Sequence, residues 1–479
     1  MEIIFKGGIF MESILRYYLM PHPPLIIPNV GKGEEKGIQS TIDACNKVGE
    51  EISQLKPETI VIITPHGTMF SDAIAISDED NIKGDFSNFR DFETVIEGKI
   101  DREFNRELIN ICENENIPAA GIDSYLLRRF NKNFELDHGA MIPMYFVNKF
   151  YRDYKIVHIT YSMLSDIELY RFGMAIRQAA INLNKKIVFI SSGDLSHRLT
   201  EDGPYEYSPE GAKFDKQLLE NLQKGDVVSV FNMDKCMVES AGECGLRSVY
   251  IMLGAMEGEE VNGEVLSYEG PFGVGYGVMS FNNKPNGKSN LEALINKKKE
   301  SFKNKISNNN PYVKLARESL NYYYTYGRLM TPPEDLPNEM LSNRNGVFVS
   351  LKKFGNLRGC IGTFLPTTNS VAEEIIRNAV QAATEDPRFN RVSEDELEDI
   401  DLSVDVLSTP TKASKEELDP RVYGVIVSKD IRRGLLLPDL EGVDTVDYQL
   451  QIACEKAGID YDEDFEIEKF EVTRYKEGE

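Results

Sequence analysis

Three short runs of apolar and β-branched residues set the reading of the first part of this chain: Thr59–Ile63, Lys155–Thr160 and Ile187–Ser191. Each is too short for an ordinary helix and suits a strand buried on both faces. A further strand is predicted at Ile14–Met20. Helical patterns lie between these runs, near Glu34–Leu55, Arg102–Asn114, Ser165–Asn182 and Ala212–Lys224. Such alternation predicts an α/β domain, a mixed or largely parallel sheet flanked by helices. His66 and the segment Gly193–His197 both follow a strand's C-terminal end, where open α/β sheets carry their sites.

The pattern changes after residue 282. Residues 283–310 hold Lys284-Pro285-Asn286-Gly287, three consecutive lysines at 297–299 and Ser307-Asn308-Asn309-Asn310. This reads as a polar linker with one helix, between domains at 1–282 and 311–479. In the second domain a helix is predicted from Tyr312 to Tyr326, with Tyr322–Tyr324 in the core. Val347–Leu351, Leu402–Leu407, Gly424–Ser428 and Leu435–Leu437 read as strands. Val371–Thr384 carries a helical apolar stripe that stops before Asp386-Pro387, and Thr445–Ala457 is a last helix. That mix predicts a smaller α+β domain. Gly273, Gly275 and Gly277 precede no helix, so 270–281 is a glycine-rich strand rather than a phosphate loop.

A length of 479 residues is too great for one ordinary core, and 41% hydrophobic residues suffice for more than one. The net charge is −24. Residues 311–479 carry 20 basic and 33 acidic side chains, a net of −13, which leaves −11 for the first 310. Neither part has the character of a phosphate-backbone binder, so no nucleic-acid partner is expected. The six cysteines (45, 112, 236, 244, 360, 454) form no C-x-x-C pair, which argues against a disulfide framework or a zinc ribbon. No stretch reaches the roughly 18 apolar residues of a membrane span. The first ten residues contain one Lys and no cleavage-site pattern. A cytoplasmic location follows as an expectation.

The candidate chemistry lies in the histidines. All five fall in the first 200 residues, and four sit in short Pro/Gly or Asp-containing motifs: His22 in MPHPP, His66 in TPHG, His138 in LDHGA and His197 in GDLSH. Neutral imidazole is the commonest metal ligand and the usual proton carrier near neutral pH. An Fe(II) oxygenase site needs two His and one carboxylate with open positions left over. His22 and His66 are the natural pair. The segment 239–245 offers Glu239, Glu243 and the softer Cys244 as a third donor. His197 and His138 then serve beside the metal or in proton transfer, and Asp194 can orient an imidazole. His158, inside a strand, is read as core.

His22, His66, Leu136–Met141, Gly193–His197 and Gly242–Gly245 together resemble the LigB-type class III extradiol dioxygenases and the related Memo proteins, over about residues 14–282. The dioxygenase resemblance implies Fe(II) held by His22, His66 and Glu243, with His197 as acid/base and His138 lining the pocket. The Memo resemblance implies Cys244 at the third position. In the second domain Leu357–Gly362 (LRGCIG), Ala383–Phe389 (ATEDPRF) and Leu435–Pro438 resemble the AMMECR family, over about 311–475. Arg358, Cys360, Asp386 and Arg388 form a candidate second site there, with a thiol and cations able to bind an anion or act as a nucleophile. The order of the two units resembles the fused Memo-like and AMMECR-like parts of the AmmeMemoRadiSam system, which implies a radical-SAM partner protein.

These readings converge on a cytoplasmic Fe(II)-dependent oxidoreductase of extradiol type acting on a small aromatic or hydroxylated substrate. The rivals are a Memo-type metal-binding interaction protein, with iron or copper, and a zinc hydrolase.

Overall fold

Every residue of the run Thr59–Thr64 is buried, because its two faces meet two different cores. Val61 and Ile63 join a cluster with Phe172, Phe189 and Ile251, whereas Ile60 and Ile62 join one with Val48, Ile52 and Phe146. Strand geometry sends successive side chains to opposite faces. Each of these side chains contributes about 1.5–3 kcal/mol relative to exposure.

The computed structural model describes residues 13–307, 310–353, 356–440 and 442–478. The reading of the first ten residues and of Asn308-Asn309 lies outside these. The chain divides into two compact units between Lys297 and Lys298, inside the stretch expected as a linker. Residues Asn290–Ser307 form one helix, and its Leu294 is buried in the first unit's core.

The first unit contains β1 (Ile14–Met20), β2 (Thr59–Thr64), β3 (Ile74–Ser77), β4 (Asn81–Asp85), β5 (Val95–Ile100), β6 (Ala119–Ile122), β7 (Lys155–Thr160), β8 (Ile187–Ser192), β9 (Gly263–Glu269) and β10 (Tyr276–Phe281). They form a ten-stranded mixed sheet whose main path runs β9-β10-β1-β8-β2-β7-β3-β6. The central strands β1, β8, β2 and β7 are parallel to their neighbours in that order. Their C-terminal ends therefore open on one edge. Helices α1 (Gln39–Leu55) and α3 (His138–Asn148) cover one face. The other face is covered by α2 (Arg102–Asn114), α4 (Asp166–Asn182), α5 (Pro209–Lys224) and α7 (Leu246–Ala255), with the short α6 (Lys235–Ala241) before α7. Local signals fix several starts: Asp101 caps α2, and Ser165 with Glu168 closes a capping box on α4.

The second unit has two four-stranded antiparallel sheets, in keeping with the expected α+β class. Val347, Val349 and Leu351 pack against Leu315 and Leu320 of helix Pro311–Tyr326 and Ile375 and Ala379 of helix Val371–Thr384. Tyr322–Tyr324, expected in the core, are only half-buried. The helix turns them to its boundary, and Val313, Leu315, Ala316 and Leu320 carry its buried face.

Candidate metal centre

Strand ends deliver most of the site. His22 follows β1 by two residues, His66 follows β2 by two, and Asp194 and His197 follow β8. His138 arrives by another route, as the first residue of α3, whose N-cap Asp137 accepts the Ala140 N–H. Nitrogen atoms of His22, His66 and His138 all lie within 4.8 Å of one another. The Nε2 atoms of His22 and His66 are 2.9 Å apart. The His66 and His138 rings stack at 4.2 Å, and His22 stands edge-on to both. Two nitrogens bound to one ion at ~2.0–2.1 Å, at roughly tetrahedral or octahedral angles, would stand about 2.9–3.4 Å apart. The donor set and the His22–His66 spacing fit a divalent transition-metal ion.

Hydrogen bonds set the His22 tautomer. Ser192 Oγ donates to the Gly139 carbonyl at 2.5 Å, so it accepts from His22 Nδ1 at 2.9 Å. That leaves the lone pair of Nε2 facing the group. Burial lowers the pKa of His22 well below the usual range, with His66 adding to the effect. Burial also lowers His66, and pushes His138 down to about 3 with help from both neighbours. All three are neutral donors at neutral pH.

Residues 16–279 match the family described as the catalytic LigB subunit of aromatic ring-opening dioxygenase, and residues 313–478 match AMMECR1. The chain belongs to the LigB family, with an AMMECR1 domain following the LigB domain. Protein CA_C1420 of Clostridium acetobutylicum is 54% identical over 466 residues, 97% of this chain and 100% of that protein. A protein of Thermotoga maritima is 56% identical over 169 residues, 35% of this chain and 97% of its own length. The crystal structure of uncharacterized protein PH0010 from Pyrococcus horikoshii has 32% identity and a TM-score of 0.33, covering 35% of this chain and 90% of that one.

Around the LigB unit's histidine group the remaining candidates take distinct places. Asp194 Oδ1 accepts the His22 backbone N–H at 2.8 Å. Burial pushes the Asp194 carboxyl up to about 6, against the opposing effect of that bond and of His197. His197 stacks on Tyr205 at 5.3 Å, and burial lowers its pKa while Asp194 opposes the shift. Cys244 Sγ lies 3.6 Å from His22 Nε2 and 3.7 Å from the Asp194 carbonyl. Its thiol is pushed up by burial. Glu243 serves the backbone instead, its carboxylate accepting the Leu246 N–H, the first of α7, at 2.6 Å. Burial raises it to about 7. Glu239 is exposed on α6. Among the described residues the metal-capable group thus contains His138, which was expected beside the metal, and neither Glu243 nor Glu239.

The sequence reading missed two kinds of residue. Phe89 stands edge-on to His138 at 5.3 Å, and Tyr205 faces His197. Ser192 was hidden because a serine at a strand end carries no signal of its own. Asp137 was hidden with the helix it caps, since no helix was expected to start at His138.

In the AMMECR1 unit, Asp386 draws two of the candidates together. It accepts the Cys360 N–H at 2.8 Å and pairs with Arg388 at 2.7 Å. Arg388 holds the Asp386 carboxyl well below the usual carboxylate range. Ser350 Oγ donates to Cys360 Sγ at 3.2 Å. Arg358 stands apart, paired with Glu396 at 3.0 Å. All six cysteines are free thiols. No helix among the described residues is long and apolar enough to cross a membrane.

Proposed function

We propose that the LigB unit is an Fe(II)-dependent oxidoreductase of the extradiol ring-opening type, acting on a small aromatic or hydroxylated substrate. The observation that carries this is the convergence of His22, His66 and His138 within 4.8 Å at the open edge of the sheet. These three imidazoles would hold the ion. Bound there, ferrous iron supplies a Lewis acid for a ring hydroxyl and the redox capacity to use dioxygen.

The chain's own groups do the rest. His197 is neutral at neutral pH, so a ring nitrogen takes the hydroxyl proton and later returns it. Asp194, close enough to raise the His197 pKa, stabilises the imidazolium while it exists. Phe89 and Tyr205 set aromatic surface beside His138 and His197. They favour a planar ring. The AMMECR1 fusion supports a radical-SAM protein as partner, and six free thiols support a cytoplasmic setting.

A second reading rests on Cys244. A soft sulfur 3.6 Å from His22 Nε2 favours copper and a Memo-type metal-binding role without ring opening. The test is metal content and catechol-dependent O₂ uptake of anaerobically purified protein, compared with His22→Ala, His138→Ala and Cys244→Ala. Iron lost in both His variants, with uptake in the wild type alone or in Cys244→Ala as well, supports the dioxygenase. Copper lost in Cys244→Ala with no uptake by the wild type supports the second reading. Zinc with hydrolytic activity and no uptake would point to the hydrolase.

A further inference from the structure

We infer that His158 is a positioning residue for this centre, acting through Asp137 on both His66 and His138. The inference rests on the reading of His22, His66 and His138 as a metal site.

His158 lies on β7 and is 3% exposed, yet it is not an apolar filler. Its Nε2 is 2.9 Å from Asp137 Oδ2 and its Nδ1 is 2.8 Å from Ser77 Oγ. An ionised carboxylate only accepts, so Nε2 donates to Asp137. The other Asp137 oxygen accepts from Thr64 Oγ1 at 2.5 Å and from the Ala140 N–H at 3.3 Å. Thr64 Oγ1 in turn accepts the His66 N–H at 3.2 Å. One carboxylate therefore reaches His66 through Thr64, and His138 through the cap of the helix that His138 begins. His158 fixes that carboxylate from behind.

The surroundings leave little slack. A Cβ on Gly139 would lie 2.3 Å from Thr64 Oγ1, and one on Gly67 would lie 2.0 Å from Thr160 Oγ1. Backbone of the two ligand-bearing segments is packed directly on the hydroxyls of β2 and β7. If Asp137 turns, both segments must follow.

The test titrates the full metal-free chain with Co(II), reading affinity and the visible absorption bands. His158→Leu is expected to weaken Co(II) binding by about 10-fold, the lower end of the cost of losing an outer partner of metal ligands, since it acts through Asp137, and to change the bands. His158→Gln, which keeps an N–H toward Asp137, is expected to restore most of the affinity. Ile62→Val, in register with His158 on β2, is expected to lower the melting temperature without moving either readout. A folded His158→Leu protein with wild-type affinity and bands overturns the inference while leaving the metal site standing. Wild-type protein that binds no Co(II) removes the metal reading and this inference with it. If His158→Leu does not fold, His158→Asn decides, because its amide reaches the Ser77 side only. Binding equal to that of His158→Gln overturns the inference, and weaker binding supports it.

Discussion

Replacing Gly193 with alanine probes the contact that holds the Asp194–His197 loop against the start of α7. An alanine Cβ there would lie 2.1 Å from Gly245 Cα and 3.0 Å from Gly245 N. Two carbons at contact keep about 3.5–4.0 Å, so relief needs roughly 1.5 Å of separation. Both sides are backbone, and no side-chain rotation can supply it. The loop is also pinned elsewhere: Gly193 N–H to Met20 O at 3.0 Å, Leu195 N–H to Gly275 O at 2.8 Å and His197 N–H to Ala241 O at 3.1 Å. Overpacking of this kind costs about 1–3 kcal/mol. For a unit that runs to Lys297 that is about 2 °C of melting temperature per kcal/mol. A displacement of about 1 Å at Asp194 or His197 would cost on the order of 100-fold in rate. The assay is thermal unfolding together with metal titration and turnover. Gly98→Ala is the control, since its Cβ would meet only side-chain carbons of Ile156 and Met144 at 3.3 and 3.5 Å. A Gly193→Ala protein that melts, binds metal and turns over like Gly98→Ala would refute the contact.

Three further outcomes are expected. Burial raises Asp215 to about 6 from the usual 3.8, against the opposing bonds from Tyr268 and the Ser196 N–H. The folded state thus holds that proton more tightly, and its stabilisation, complete below pH 3.8, is lost as pH rises through 6; Asp215→Asn should flatten the melting-temperature profile across that window. The side chains of Arg317 and Glu477 are both fully buried, and the guanidinium also bonds the Leu397 and Ile400 carbonyls. Glu477→Gln leaves that charge uncompensated and should cost about 3–5 kcal/mol in urea unfolding; a loss below about 1 kcal/mol would contradict the pairing. Glu243→Gln keeps an acceptor for the Leu246 N–H and should retain metal by elemental analysis; a folded variant that loses it would make Glu243 a ligand.

The central strands and long helices were legible because burial on both faces leaves a continuous apolar run, and a half-buried helix leaves a stripe. The hairpin β4–β5 was not. β4 alternates exposed and buried positions over five residues, NIKGD, with a glycine at one of its two buried places. Helix α3 also escaped, since HGAMIPMYFVN is apolar nearly all round and contains Pro143, so it shows no periodic face. His22, His66, Asp194 and His197 could be found because each follows a strand of the parallel core. The place of His138 depends on how α3 docks, which no local pattern encodes. The role of Glu243 at the start of α7 was equally hidden, because a carboxylate near a turn reads the same whether it binds an ion or an N–H.

An imidazole in place of a carboxylate, as in the proposed ligand set, has an electrostatic consequence. Three neutral donors would bring no charge of their own to a divalent ion, where a Glu ligand would cancel part of it. Two acids stand nearby. Burial works to raise Asp137, but hydrogen bonds from His158 and Thr64 outweigh it and hold the carboxyl well below the usual range. Asp194, raised to about 6, is mostly ionised at neutral pH. Both are hydrogen-bonded, Asp137 to Thr64, His158 and the cap of α3 and Asp194 to the His22 N–H, and each keeps its negative charge beside the histidines. What these two charges do not offset would be available to an incoming anionic oxygen, and in a partly dry site its pull would be several-fold stronger than in water. A ring hydroxyl that loses its proton to His197 meets that requirement. A neutral substrate with no acidic hydroxyl would not, so the proposed ligand set would favour substrates that can ionise on binding.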